Sequence, residues 1–268
     1  MLKRIAKTAL YPFLTPMRPG NIAMFHIGRC GSTVLTSLLK QHSKVFWASE
    51  LYEPIFKEWR RKTQENVITG EMPDDAILIL QKSMKKAFHR YYGFEIKPFH
   101  FRLIDYSKES YIEHLDRLGF SHFIILDREN RLRKIISSMI AHEDRTRFHM
   151  KGKTKSKLKQ IYIDVDKVTI DYDQKPLLSF LEDYENEMSS LKEILEKKNC
   201  LCLTYEKDVQ DDPRLGYRKI CDFLNIKPKD VTIDLSRTNP FQVREMIENF
   251  QNVNDMLKDT KYEWMVYG

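Results

Sequence analysis

Six consecutive residues, Gly28-Arg29-Cys30-Gly31-Ser32-Thr33, combine the groups that hold a tetrahedral anion. Arg29 brings a guanidinium fork, Ser32 and Thr33 bring hydroxyls, and the glycines let the backbone turn its amides toward a ligand. The run before them, 22–27, is apolar with His26 as its only polar member, and suits a buried strand. After them, Val34, Leu35, Leu38 and Leu39 recur with helical spacing. A strand, a glycine turn and a helix N-terminus make an anion site, because the first-turn amides lack partners and lie at the positive end of the helix dipole. The competing reading is an ordinary β–α turn whose glycines serve tight geometry alone. A nucleotide triphosphatase loop, G-x-x-x-x-G-K-[ST], requires Lys immediately before the hydroxyl residue, and Gly31 stands there. The loop therefore suits a tetrahedral anion better than a magnesium-bound γ-phosphate.

The elements that must position this loop alternate in type. Beyond the first strand and helix, strands are expected at 45–49, 94–101 and 121–128, and again at 200–205. The strand at 94–101 is expected to stop near Pro98. Helices are expected at 73–91, 110–118, 132–141, 177–197, 212–224 and 242–257, with 54–73 irregular or partly helical. Asp212-Pro213 opens one of these helices, with Asp as cap and Pro at the first helical position. Such alternation implies an α/β fold, a parallel sheet with helices on both faces, and a ligand at the carboxyl ends of its strands.

At 268 residues the chain has the length of one α/β domain with a full core, spanning 1–268 with 1–20 as an N-terminal extension. Charged residues at 31% and hydrophobic ones at 42% describe a soluble globular protein. A net charge of +7 suits an anionic ligand or surface, or simply a solvated exterior. Four cysteines, Cys30, Cys200, Cys202 and Cys221, form neither a metal spacing nor a disulfide framework, so a reducing, cytoplasmic setting is expected. Cys200 and Cys202 are expected on one strand face as small buried hydrophobes. The N-terminal MLKRIAKTALYPFLTPM is too short to span a bilayer and lacks a cleavage site; docking on its own domain is preferred to contact with a membrane surface. Segment 151–160 carries five lysines and reads as a mobile surface loop, a candidate lid.

Three blocks together resemble the sulfotransferases that use 3′-phosphoadenosine-5′-phosphosulfate (PAPS), and most of all their bacterial carbohydrate branch, the trehalose and Nod-factor enzymes. GRCGST resembles the 5′-phosphosulfate loop, ILDRENRLRKIISSMIA the 3′-phosphate block, and LTYEKDVQDDPRLGYRKICDFLNI the shared Y-E…D-P…F-L segment. The resemblance implies a P-loop-type sulfotransferase fold with Arg29, Cys30, Gly31, Ser32 and Thr33 on the 5′ side. On the 3′ side it implies Arg128 and Ser137, with Tyr205 at the adenine and Arg237 as the C-terminal basic loop. Arg128 also suits this part on physical grounds, as a cation ending a strand where ligands bind. Ser138 competes with its neighbour Ser137. Val34 departs from the pattern: cytosolic relatives carry an adenine-stacking Trp there.

Sulfuryl transfer requires positioning and charge stabilisation, plus a base for the acceptor. The resemblance gives the base role to Glu53, in an E-P pair, with Glu50 as a near competitor. Cytosolic relatives place Lys and His as K-x-H on a strand; here Lys97 and His100 are spaced K-x-x-H. On a regular strand they point to opposite faces, which leaves Lys97 as an electrostatic group and His100 as a doubtful base. No metal-ligand spacing is visible, so PAPS is expected as co-substrate without a metal. The implied acceptor is small: a sugar or glycolipid hydroxyl, or a secondary metabolite such as an alkaloid toxin of the saxitoxin kind, sulfated on oxygen or nitrogen. No nucleic acid partner is expected. The alternatives from other classes are an ATP-dependent small-molecule kinase and a non-catalytic protein that binds 3′-phosphoadenosine-5′-phosphate (PAP).

Overall fold

The computed structural model describes residues 18–64, 76–144, 149–150 and 157–268. At its centre lies a five-stranded sheet: β1 (Asn21–His26), β2 (Val45–Glu50), β3 (Tyr91–Ile96), β4 (Phe120–Asp127) and β8 (Cys200–Thr204). Their order is β2-β3-β1-β4-β8, and every neighbouring pair is parallel. The strand that leads into the glycine turn is thus the central one, flanked by β3 and β4. Its neighbours lie on opposite sides in the order of the chain, the switch point at which ligands bind in open parallel sheets.

Helices cover both faces. Ile22 and Met24 point with Ile124, Leu126 and Leu203 toward one apolar layer, which includes Leu35, Leu38 and Leu39 of α1 (Ser32–Lys40). Ala23 and Phe25 point with Phe94, Phe123 and Ile125 toward the other. Its helical side comes from α5 (Lys108–Arg117), α6 (Arg131–Asp144) and α7 (Leu177–Leu195), including Tyr111, Ile135 and Leu181. Both faces being buried explains the unbroken apolar run of β1. Each fully buried Leu or Phe contributes about 1.5–3 kcal/mol, so the two layers fix the strand register.

Several boundaries differ from those the sequence suggests. Helix α2 spans Glu53–Thr63, where irregular chain was expected. Helix α3 (Ala76–Met84) ends well before Tyr91; a 3₁₀ turn follows at Lys85–Ala87, and Tyr91 begins β3 by pairing with Val45. β3 stops at Ile96, and Pro98 opens α4 (Pro98–Leu103) rather than ending a strand. Proline serves either purpose, since its missing N–H is harmless in a first helical turn. The expected helix at 242–257 is broken into α10 (Val243–Met246) and α11 (Phe250–Leu257). Between them Ile247 is extended and bridges Ile161, while the Glu248 N–H donates to the Ile161 carbonyl. Cys200 is only half-buried and Cys202 is exposed, so they are not core thiols.

Two small antiparallel pairs complete the fold: β5 (His149–Met150) with β9 (Leu235–Ser236), distant in sequence, and the hairpin of β6 (Val168–Ile170) with β7 (Asp173–Lys175). Two short helices, α8 (Tyr205–Asp208) and α9 (Arg214–Phe223), follow β8. Helix α9 opens one residue later than expected, with Pro213 at its N-cap, and the Asp212 carboxylate just ahead accepts from the Arg214 N–H. Among the described residues no helix is long and apolar enough to cross a membrane. The 1–17 segment, the start of the helix expected from 73 and most of the lysine-rich 151–160 lie outside the described residues.

Candidate active site

All five strands of the central sheet deliver a polar residue to one cavity of about 890 Å³. Gly28 and Arg29 follow β1, Glu50 ends β2, Lys97 follows β3, Arg128 follows β4 and Tyr205 follows β8. The turn after β1 is held by its own strand: the Gly28 N–H donates to His26 Nδ1 (3.0 Å), and His26 Nε2 lies 3.2 Å from Glu95 Oε2. This gives the lone polar residue of β1 a structural task. Gly28, Arg29 and Gly31 have φ of 79, 54 and 77°, so the turn is wound in the left-handed region that glycine tolerates and arginine resists. Gly31 is also needed for space. A Cβ there would meet Val209 Cγ1 at 2.6 Å and the Tyr205 ring at 3.0 Å.

One end of the cavity gathers cations. Arg128, only 7% exposed, lays its guanidinium over the Tyr205 ring at 4.6 Å and donates through Nη1 to the Arg29 carbonyl. Its Nε–H has no hydrogen-bond acceptor among the described residues; Glu206 Oε1 is 3.9 Å away. Burial, and the neighbouring charge of Arg237, lower the pKa of Arg128 despite Tyr205 and Glu206. Burial likewise lowers Arg133, followed by the charges of Arg128 and Arg237. Three guanidiniums crowded on one wall create the field that an anion relieves. Arg29 leans the same way: Nε donates to Ser137 Oγ (2.9 Å) and Nη2 to Thr238 Oγ1 (3.4 Å), while Asn239 Nδ2 reaches Ser137 at 3.3 Å. Ser137, not Ser138, is therefore the hydroxyl tied into this cluster. Thr33 and Arg237 line the cavity, as does Ser32, which is 4% exposed. Cys30 does not: its side chain is fully buried in the apolar layer beside α1, so only its backbone could serve a ligand.

The other end gathers carboxylates around Lys97, with the exposed Lys57 Nζ 3.9 Å from Glu53 Oε1. Lys97 Nζ lies 2.9 Å from Glu50 Oε2 and 3.6 Å from Glu53 Oε2. Burial opposes its charge, but Glu53 and Glu50 outweigh that and raise its pKa above the ordinary lysine value. Glu53, 6% exposed, opens α2 with Pro54 behind it, and His100 Nε2 lies 3.8 Å from Glu53 Oε2. The expected divergence of Lys97 and His100 is wrong. The chain leaves the strand at Lys97, which caps α4, and His100 occupies the third helical position, so both side chains converge on Glu53. The Lys97 N–H donates to His100 Nδ1 (3.2 Å). Burial lowers the pKa of His100 despite the pull of Glu53, so the ring is neutral, and at 3.8 Å its Nε2 stops short of a hydrogen bond to the carboxylate.

Sequence spacing shows no metal ligands, yet the fold brings His26, Glu50 and Glu95 within 4.8 Å of one another. Their carboxylates are already engaged, Glu50 with the Lys97 ammonium and Glu95 with the Trp47 Nε1–H (3.1 Å). Arg133, Glu95 and the 171–172 turn were missed from sequence. Arg133 stands in the quoted 3′-phosphate block and could have been found by its place on the Ser137 helix; the other two carry no local signal.

The fold thus sets a glycine turn at its central strand beside a cationic cavity at the carboxyl edge of a parallel sheet. The model of the sulfotransferase family matches residues 24–230, from β1 to just beyond α9, and the chain belongs to that family. Among solved structures it is similar to the crystal structure of a sulfotransferase from Alicyclobacillus acidocaldarius, with 12% identity and a TM-score of 0.48 over 88% of this chain and 90% of that one. No curated protein matches it by sequence.

Proposed function

We propose that this sulfotransferase uses PAPS and moves its sulfuryl group to the hydroxyl or amine of a small acceptor, releasing PAP. The observation that carries this reading is Arg128: a buried guanidinium with an unsatisfied Nε–H, crowded by Arg133 and Arg237. A buried donor without an acceptor is costly, and a 3′-phosphate is the group that would satisfy it. Arg128, Ser137 and Arg237 would hold that phosphate, with Tyr205 beside the adenine. The 28–33 turn would hold the 5′-phosphosulfate through its amides, Thr33 and Arg29. PAPS supplies the sulfuryl group; everything else is done by the side chains. Glu53 takes the proton from the acceptor oxygen or nitrogen as the new bond to sulfur forms. The Lys97 ammonium stabilises negative charge on the group in transfer. His100, whose Nε2 lies 3.8 Å from Glu53 Oε2, helps position that carboxylate and is not assigned the role of base.

A thermal-shift series with PAP, PAPS, ATP–magnesium and GTP–magnesium tests the donor. A ligand that binds only the native state raises Tm with concentration. PAP and PAPS are expected to stabilise the protein. Stabilisation by ATP–magnesium with none by PAP would overturn the reading in favour of a kinase.

A further inference from the structure

The β6–β7 pair has only two residues between its strands, Asp171 and Tyr172, since Ile170 pairs directly with Asp173. Both have positive φ, 53 and 61°. That is the geometry of a type I′ turn, for which Asn-Gly is the ordinary choice. A tyrosine in the left-handed region is held there by its surroundings, and such outliers cluster at ligand sites.

The holding device is visible. Lys134 of α6 is fully buried and contacts the Asp171 carboxylate, and the Tyr184 hydroxyl donates to the same Asp171 Oδ2 at 2.6 Å. With Asp171 clamped from behind, Tyr172 is carried into the cavity wall. Its ring lies 6.0 Å from Phe56 and 5.8 Å from Phe99. Phe56 belongs to the helix that Glu53 opens. Phe99 lies 4.6 Å from the His100 ring and 5.4 Å from Lys97 Nζ. Tyr172 and Phe99 are half-buried and line the cavity together with Glu53. Both rings pack against the core without being fully covered by it. They form an aromatic wall beside the carboxylate and lysine, away from the arginines at the other end.

We infer that Tyr172 and Phe99 form the acceptor subsite, which takes a hydroxyl-bearing ring through its apolar face and presents the hydroxyl to Glu53. This rests on the sulfuryl-transfer reading above. Aromatic walls with a few fixed polar groups are the usual way a pocket orients a small molecule. Two ring chemistries share the required face: the C–H face of a pyranose and the π-face of a phenol.

The test is saturation-transfer NMR on the PAP-loaded protein with trehalose, methyl glucoside and 2-naphthol as probes. Wild type is compared with Tyr172→Gly, which suits the turn's backbone, and Tyr172→Trp, which keeps a ring. At least one probe should bind wild type, weaken about tenfold in Tyr172→Gly and recover in Tyr172→Trp. The two glucosides against naphthol decide between sugar and phenol. Tm and PAP affinity should be retained in Tyr172→Gly. Equal probe binding by wild type and Tyr172→Gly overturns the subsite, as does binding of no probe to wild type. If PAP fails to bind wild type, the donor reading falls instead, and the same probe comparison on the unloaded protein judges the subsite alone.

Discussion

The two ends of the cavity solve opposite electrostatic problems. At the β4–β8 end, burial and the charge of Arg237 lower the pKa of Arg128, burial and both neighbours lower that of Arg133, and Arg128 keeps an unsatisfied donor. At the β2–β3 end, Glu50 and Glu53 are balanced from within by Lys97 and by Lys57, 3.9 Å from Glu53 Oε1. The first end is incomplete without an anion, whereas the second is already balanced. A balanced cluster suits proton transfer: its charges hold a base in place without demanding a charged ligand.

The largest effect that sharpens this contrast is expected from Glu53→Gln. Loss of a general base lowers turnover by about 10²–10⁴-fold, while PAP affinity, measured by calorimetry, should stay within about twofold because the change lies at the balanced end. Turnover that survives would move the base role to Glu50. Arg128→Ala comes next. It removes a charge-assisted contact of about 1.5–3 kcal/mol, so PAP affinity should fall by roughly 10–100-fold. Unchanged PAP stabilisation in the thermal-shift assay would break the comparison outright.

The smallest effect concerns His100. Its pKa in the folded protein is lowered from 6.5 by burial. Above pH 6.5 both folded and unfolded chains hold it neutral, and its contribution is fully present. As pH falls below 6.5 the unfolded chain takes up a proton that the native site resists, so stability is lost toward the depressed folded pKa. Wild-type Tm should therefore drop more steeply than that of His100→Gln between about pH 7.5 and 5.5, by a difference on the order of a few degrees. Parallel slopes would mean that His100 titrates normally.

The same division governs what could be read from sequence. The β1 turn and Arg128 were legible because strand, turn and helix lie contiguously in the chain, and their periodicities change sharply at Gly28 and Arg128. The carboxylate end was not. Whether Lys97 and His100 diverge or converge depends on whether Pro98 ends a strand or opens a helix, and proline permits both. Their meeting with Glu53 joins positions more than forty residues apart, which no local pattern encodes. Asp171-Tyr172 lacks the glycine that announces a two-residue turn, so the hairpin was invisible too. The 242–257 helix failed for a related reason: its periodicity is sound, but a bridge to Ile161 breaks it at Ile247.

The position of β1 at the centre of the sheet also bears on how the chain is made. During synthesis its apolar segment, Ile22 to Phe25, emerges long before its partners in β3 and β4, and β4 in turn waits for β8. Parallel pairing over such separations is slow, because loop closure precedes any stabilising contact. Until residue 126 has left the ribosome, β1 lacks one flank of its register and presents a sticky edge to other chains. Slower synthesis at low temperature, or a holdase that shields this edge, should raise the soluble yield of the protein more than any change at its surface.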